Sequence, residues 1–241
     1  PLVGFFDLLC VLASGHACRV KPSSKDTVLI GYVVDLLRTI DPAIPLRMAE
    51  QGERLDAVIA TGSDNANRYF RMLFGGIPSL LRGSRQSVAV LSGRETAAEL
   101  SGLEEDIFAY SGLGCRNVSL LFLPRGYMPE LRCTALNEKY RRNYLRERAL
   151  LRMCRMPFVD LDGAVLCEDR SFPAALSRIH YTFYDSLADV EAWLAAHDDR
   201  LQCVVSQCVR HSRRVAFGRA QHPGLTDYAD DVDTMRFLGT I

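Results

Sequence analysis

The chain carries no net charge: 29 Lys and Arg balance 29 Asp and Glu over 241 residues. A protein that grips nucleic acid through its phosphates shows a marked basic excess, so that class of partner is excluded. The densest basic run, Lys139–Arg148, is interrupted by Tyr140, Tyr144 and Leu145 and contains Glu147, and it reads as the solvated face of a helix. No run approaches the roughly 18 apolar residues that a membrane-spanning helix needs. Phe5–Ser14 is apolar but ends in the polar Gly15-His16 pair. The eight cysteines (Cys10, Cys18, Cys115, Cys133, Cys154, Cys167, Cys203 and Cys208) include no Cys-x-x-Cys, and the five histidines form no ligand-spaced pair, so no metal site is expected. Asp227–Asp233 has the oxygen density of a calcium loop without its glycine or closing glutamate, and reads as a polar tail. A Gly-x-Gly-x-x-Gly dinucleotide fingerprint is also missing. With no secretion signal, reduced thiols and a cytoplasmic location are expected. The opening Pro1-Leu-Val-Gly4 has no methionine, as though the chain were entered in mid-fold with an N-terminal portion missing.

What is present points to an α/β fold. Hydrophobic residues make up 48% of the chain and charged residues 24%, enough to bury a large core in one or two domains. Periodicity and turn residues predict helices at Asp7–Ala13, Thr27–Ile40, Asn65–Phe74, Thr96–Tyr110, Glu130–Met153 and Leu187–Ala196. Strands are expected at Ala17–Val20, Leu46–Ala49, Leu55–Ala60, Ser87–Leu91, Val118–Leu123 and Gln202–Ser206. Weaker strands are expected at Phe158–Leu161, Ala164–Cys167 and Leu176–Phe183, and Phe217–Ile241 reads as extended surface structure. Strand, helix and strand in alternation are the signature of a parallel sheet. A domain division is expected near Ser92, giving units 1–91 and 92–241.

Cys115 stands in Gly112-Leu-Gly-Cys-Arg-Asn117. Glycines let the backbone turn sharply and let a substrate approach. The adjacent Arg116 would favour thiolate over thiol, although most cysteines in globular chains are small buried hydrophobes. Arg116 and Asn117 either tune the thiol or cap the local backbone. Three further turns follow strands: Lys21-Pro22-Ser23, Thr61-Gly62-Ser63 and Leu91-Ser92-Gly93. Ligands of open α/β sheets bind beyond the carboxyl ends of the strands. There Lys21 would offer a charged donor, and Gly-Ser at a helix start would offer free N–H groups to a pyrophosphate.

The order Lys21-Pro-Ser, Thr61-Gly-Ser, Leu91-Ser-Gly, Cys115 and Phe217-Gly218 resembles the aldehyde dehydrogenase superfamily. Val58–Ser63, Ser87–Gly93, Gly112–Ser119 and Asp227–Met235 resemble, more specifically, the acyl-CoA reductases of the LuxC type. The resemblance covers essentially the whole chain. It implies a Rossmann-like cofactor domain, incomplete at its N-terminus, followed by an α/β catalytic domain. It implies NADPH or NADH as cofactor, an acyl-CoA or acyl-carrier thioester as substrate, and a homo-oligomer among the expected states. In its terms Cys115 is the nucleophile. Lys21, Pro22, Ser23, Thr61, Gly62, Ser63, Leu91 and Gly93 hold the nucleotide, and Asp169 stands in for a ribose-binding glutamate unless it is a turn aspartate. An asparagine that helps bind the oxyanion is expected just before Pro1. Oxidising relatives carry a water-activating glutamate where this chain is expected to have Val90, so the acyl-enzyme would persist until reduced. The implied activity is reduction of an acyl thioester to an aldehyde. A CoA-acylating aldehyde dehydrogenase running in reverse and an inactive nucleotide-binding fragment are the alternatives.

Overall fold

The computed structural model describes residues 2–134 and 137–241. The chain divides into two units, Pro1–Ser84 with Val232–Ile241, and Arg85–Asp231. The boundary after Ser84 lies several residues before the one expected near Ser92.

The first unit contains α1 (Phe5–Ala13), β1 (Cys18–Val20), α2 (Thr27–Ile40), β2 (Leu46–Met48), β3 (Val58–Thr61), α3 (Asp64–Phe74) and β4 (Ser79–Arg82). Its strands form two parallel ladders, β1 with β2 and β3 with β4. β4 was not expected: Leu80 and Leu81 are too few apolar residues to show a period, and Pro78 precedes them. Leu8, Cys18, Ile30, Val34 and Leu46 form the core beneath β1 and β2. The C-terminal Thr234–Leu238 is a short helix rather than extended surface structure. It returns to this unit through Arg82, whose buried guanidinium donates to Asp7 at 3.0 Å and to the Thr234 hydroxyl at 2.7 Å.

The second unit is built on β5 (Gln86–Val90), α4 (Ala97–Phe108), β6 (Val118–Pro124), α5 (Glu138–Met153), β7 (Val159–Asp160), β8 (Val165–Glu168), β9 (Arg178–Tyr184), α6 (Leu187–Ala196), β10 (Leu201–Ser206) and β11 (Arg214–Val215). These strands make one seven-stranded sheet in the order β11-β10-β5-β6-β9-β8-β7, parallel except for β7. Side chains alternate between the faces of a strand, so the continuous apolar runs of β5 and β6 feed two cores at once. Ala89, Leu121 and Leu123 pack with Leu103, Ile107 and Phe108 of α4. Val88, Val90, Leu120 and Phe122 pack with Val190 and Leu194 of α6. Helices thus cover both faces, as near-continuous hydrophobic strands require.

α5 begins at Glu138 rather than Glu130 because Asn137 caps it, its side chain accepting from the Tyr140 N–H at 2.9 Å. Ala135 and Leu136, inside the expected helix, lie outside the described residues. The basic face of α5 is exposed as expected, but Glu147 is buried and holds Arg178 at 2.6 Å.

Candidate active site

α4 starts with a capping box, Thr96 and Glu99 each satisfying the other's backbone N–H. Its end is less regular. Tyr110, Ser111 and Gly112 all lie in the left-handed region, with φ of 52°, 57° and 63°. Only glycine adopts that region without strain, so Tyr110 and Ser111 each cost about 1–3 kcal/mol. Buried Asn117 holds the segment in place. Its amide nitrogen faces the carbonyls of Asp106, Ile107 and Ala109 at 3.2, 3.1 and 3.0 Å, and its carbonyl oxygen accepts from the Gly114 N–H at 2.8 Å. Asn117 therefore caps the local backbone, one of the two roles its position in the sequence allowed. On the other side, the fully buried Ser87 of β5 donates to the Cys115 carbonyl at 2.9 Å. Ser87 Oγ also accepts from the Cys203 N–H at 3.2 Å.

Cys115 sits in this turn, immediately before the amino end of β6, and is exposed as a residue. Its sulfur nonetheless has enough protein packed around it that burial, the largest influence, raises the thiol pKa. Accessibility governs whether a substrate can reach the residue, and local packing governs its charge, so the two findings describe different properties. Arg116 pulls the pKa down and Asp230 pushes it up. Arg116 acts in the expected direction, favouring the thiolate, but desolvation outweighs it. The Arg116 guanidinium points to the carbonyls of Ala220 and Asp227, each at 3.5 Å. The backbone N–H groups of Cys115 and Arg116 pull the pKa down slightly as well.

A buried acid on α4 holds the 217–220 segment. Asp106 of α4 is fully buried and accepts from the Gly218 N–H at 2.7 Å and the Ala220 N–H at 2.9 Å. Desolvation outweighs these bonds and lifts its carboxyl pKa to about 6. Gly102 lets the 217–220 segment approach, since a Cβ there would lie 2.8 Å from the Gly218 nitrogen. Nothing in the local sequence signals Asp106, because its partners are more than a hundred positions away.

Beside the turn lies a cavity of about 260 Å³. Its lining includes Gln86, Leu113, Gly114, Ser119 and Ala174–Leu176.

The structure does not bring the Leu91 turn to this site. Parallel β5 and β6 pair Ser87 with Val118 and Val90 with Phe122. Cys115 is therefore at the amino edge of the sheet, whereas Val90 lies about 10 Å further along β5 at a rise of about 3.3 Å per residue. Val90 is wholly buried among Leu120, Phe122 and Val204. The reading of Val90 as a replacement for a water-activating glutamate is corrected accordingly. Leu91 is buried too, its carbonyl accepting from the Tyr184 hydroxyl at 2.7 Å. Gly93, with φ of 83°, turns the chain against Pro124 and Tyr127. Asp169 follows β8, again at the carboxyl edge. It is exposed and held ionised chiefly by Ser171, whose N–H it accepts at 2.8 Å, as in a turn aspartate.

Of the residues expected to hold nucleotide in the first unit, Lys21, Pro22 and Ser23 follow β1, and Lys21 and Ser23 are exposed. Thr61 ends β3, and Ser63 caps α3, its hydroxyl accepting from the Ala66 N–H at 3.3 Å. This helix start fits a phosphate in part. The Thr61 and Ser63 side chains are exposed, but the Gly62 N–H is committed to the Arg82 carbonyl at 3.1 Å. Gly62 is glycine for packing, since a Cβ would lie 2.8 Å from that of Ala66. Gly83, at the end of the unexpected strand β4, adjoins Asn67 and Asp64 of the same helix start and was missed in the sequence.

No family model and no curated sequence matches the chain. Solved structures do. The substrate-bound AldH of Staphylococcus aureus matches with a TM-score of 0.59 and 17% identity over 87% of this chain and 56% of its own. An aldehyde dehydrogenase of Mycobacterium tuberculosis complexed with NAD+ matches at 0.63 and 15%, over 85% of this chain and 54% of its own. The indole-3-acetaldehyde dehydrogenase AldA of P. syringae, in complex with NAD+ and IAA, matches at 0.63 and 14%, over 89% and 55%. The fold is aldehyde dehydrogenase-like. The chain spans little more than half the length of these proteins. Among the described residues no helix is long and apolar enough to cross a membrane.

Proposed function

We propose that this chain carries the acylated cysteine of an NAD(P)H-dependent acyl-CoA reductase, with Cys115 as nucleophile. The observation that carries the reading is an exposed thiol at the exit of a strained left-handed segment, held by buried Asn117 and Ser87, on an aldehyde dehydrogenase-like fold. Strain of this kind persists only where surrounding structure enforces it, and it concentrates at working sites.

Cys115 Sγ attacks the thioester carbonyl carbon, and the C–S bond to CoA or a carrier breaks. Burial favours the thiol over the thiolate, and its proton passes to the departing sulfur, so the exchange is neutral overall. The backbone N–H of Cys115 would contribute to binding the oxyanion that forms. A nicotinamide, when bound, would supply the hydride that takes the acyl group to the aldehyde level. Cys115 then leaves as thiolate and regains a proton. Lys21, Pro22, Ser23, Thr61 and Ser63 are the residues that would hold the nucleotide's phosphates and ribose. Leu91, Gly93 and Asp169 have structural partners of their own.

The test is incubation of the protein with radiolabelled acyl-CoA and NADPH, mapping the adduct and measuring CoA and aldehyde. Label on Cys115 with CoA release supports the reading. Label that survives in Cys115→Ser overturns it.

A further inference from the structure

We propose that the exposed face of α5 is a docking surface for an acidic, helical carrier protein that presents the acyl thioester to this chain. The carrier's cargo rests on the reductase reading; the surface does not. Residues 138–156 hold seven Lys and Arg against two Glu, a surplus of five positive charges in a chain of no net charge. Glu147, one of the two, is buried and already paired with Arg178. Arg142 pairs with Glu138. Among the described residues Lys139, Arg141, Arg152 and Arg155 are exposed and form no ion pair. An apolar stripe runs between these cations. Leu145, Ala149 and Met153 recur at every fourth position, one above the other on the helix, and Leu145 and Met153 are 49% and 80% exposed. A helix with carboxylates flanking its own apolar residues matches this face in both charge and shape.

The composition favours a protein over a lipid surface. Six of the seven cations are arginine and the exposed apolar residues include Met153 and Met156; Arg and Met are enriched in protein interfaces, and Lys is depleted. A helix that lies in a membrane needs a free apolar face, and that of α5, with Tyr140, Tyr144 and Leu151, is buried against the sheet. Free CoA fits poorly, because its phosphates are grouped while Lys139 and Arg155 stand about 24 Å apart at 1.5 Å per residue. The face also lies near the candidate site. The Asn137 N–H, at the start of α5, donates to the Ser111 hydroxyl of the strained segment at 3.2 Å, and a Cβ on Gly112 would meet the Tyr140 ring at 3.1 Å. A thioester on a flexible arm therefore has a short path from this helix to Cys115.

The experiment titrates the full chain with a free-standing acyl carrier protein in its holo form, which binds without any chemistry. Saturable, salt-sensitive binding is expected. The double variant Arg141→Glu, Arg152→Glu should slow association about 10–100-fold. The control Arg38→Glu, Arg210→Glu changes net charge equally on exposed positions elsewhere and should bind as the parent does. No saturable binding, or equal loss in the control, overturns the proposal. So does binding of vesicles of phosphatidylglycerol and phosphatidylcholine in equal parts that depends on Arg141 and Arg152 when carrier binding does not. Reduction of acyl-carrier and acyl-CoA substrates, assayed in parallel, separates the two ideas. Carrier binding lost in the α5 variant, with no reduction of either thioester by the parent, keeps the surface and sinks the reductase. Reduction of acyl-CoA without carrier binding does the reverse.

Discussion

The two edges of the seven-stranded sheet are built differently. At the carboxyl edge of β5 every notable feature has a structural explanation. Leu91 is buried and bonded to Tyr184, Gly93 turns against Pro124, and Asp169 closes a turn on Ser171. At the amino edge the chain instead keeps consecutive left-handed residues and a cysteine on an exposed turn, held by Asn117 and Ser87, beside a cavity. Ligands of open α/β sheets ordinarily sit at the carboxyl edge. The contrast teaches that a glycine-flanked turn after a strand is weak evidence of a binding site, whereas strain together with an exposed reactive group is stronger.

The largest expected effect tests the amino edge directly. Cys115→Ser should lower CoA release from acyl-CoA by about 10⁴-fold or more, with the thermal midpoint unchanged because the residue is exposed. A fully active serine variant would dissolve the comparison. Val90→Glu tests the other edge. It places a carboxylate among Leu120, Phe122 and Val204 and should cost about 4 kcal/mol or more of stability, as unpaired buried charges do. A folded variant with an unchanged midpoint and increased release of free acid would show that position 90 borders the thioester after all.

Asn117→Ala should be intermediate. Releasing Asp106, Ile107 and Ala109 from one amide frees the strained segment, and we expect kcat to fall about 10–100-fold, the scale on which a displaced reacting group is felt. Cys115 alkylation kinetics would check it, and an unchanged rate would mean that the turn holds itself. In the first unit, Lys21→Ala removes a charged donor and should weaken nucleotide binding by about tenfold, read by titration. An unchanged Kd would remove the carboxyl end of β1 from the site.

The smallest effect is a pH dependence. Asp106 has a folded pKa of about 6, above the 3.8 of the free side chain. The folded state therefore holds its proton more tightly than the unfolded chain. The resulting stabilisation is full below about pH 4 and is lost as pH rises through about 6. His211, depressed chiefly by burial, works in the opposite direction near its ordinary range, so the comparison must be with Asp106→Asn. The difference in urea midpoint between the two proteins should change from pH 4 to pH 7. A constant difference would place the titration elsewhere.

Much of the fold was legible because its strands are continuous apolar runs and its helices are capped. Ser87–Leu91 and Val118–Leu123 were read within a residue of β5 and β6. Ser63 and Thr96 are oxygen-bearing residues at helix starts, and both prove to be caps. β4 is not legible because two leucines have no period, and α5 starts later than its periodicity predicts because its cap, Asn137, stands inside a helix-like run. The candidate site was legible only at Cys115 and its glycines. Asn117 was recognisable as a neighbour but not as the residue that ties the turn to α4, and Ser87 and Asp106 were not recognisable at all.

The sequence by itself determined the α/β class, the two faces of the central strands and the glycine-bracketed thiol, since each is a local matter of periodicity and turn chemistry. Only the tertiary structure decided which strand end each turn occupies. Position along a parallel strand depends on register with neighbours far away in the chain: Ser87 meets Cys115, Asp106 meets Gly218, and Val90 faces Phe122. The thiol's charge was decided there as well, because desolvation comes from everything packed around a sulfur, and the adjacent Arg116 is only one part of that.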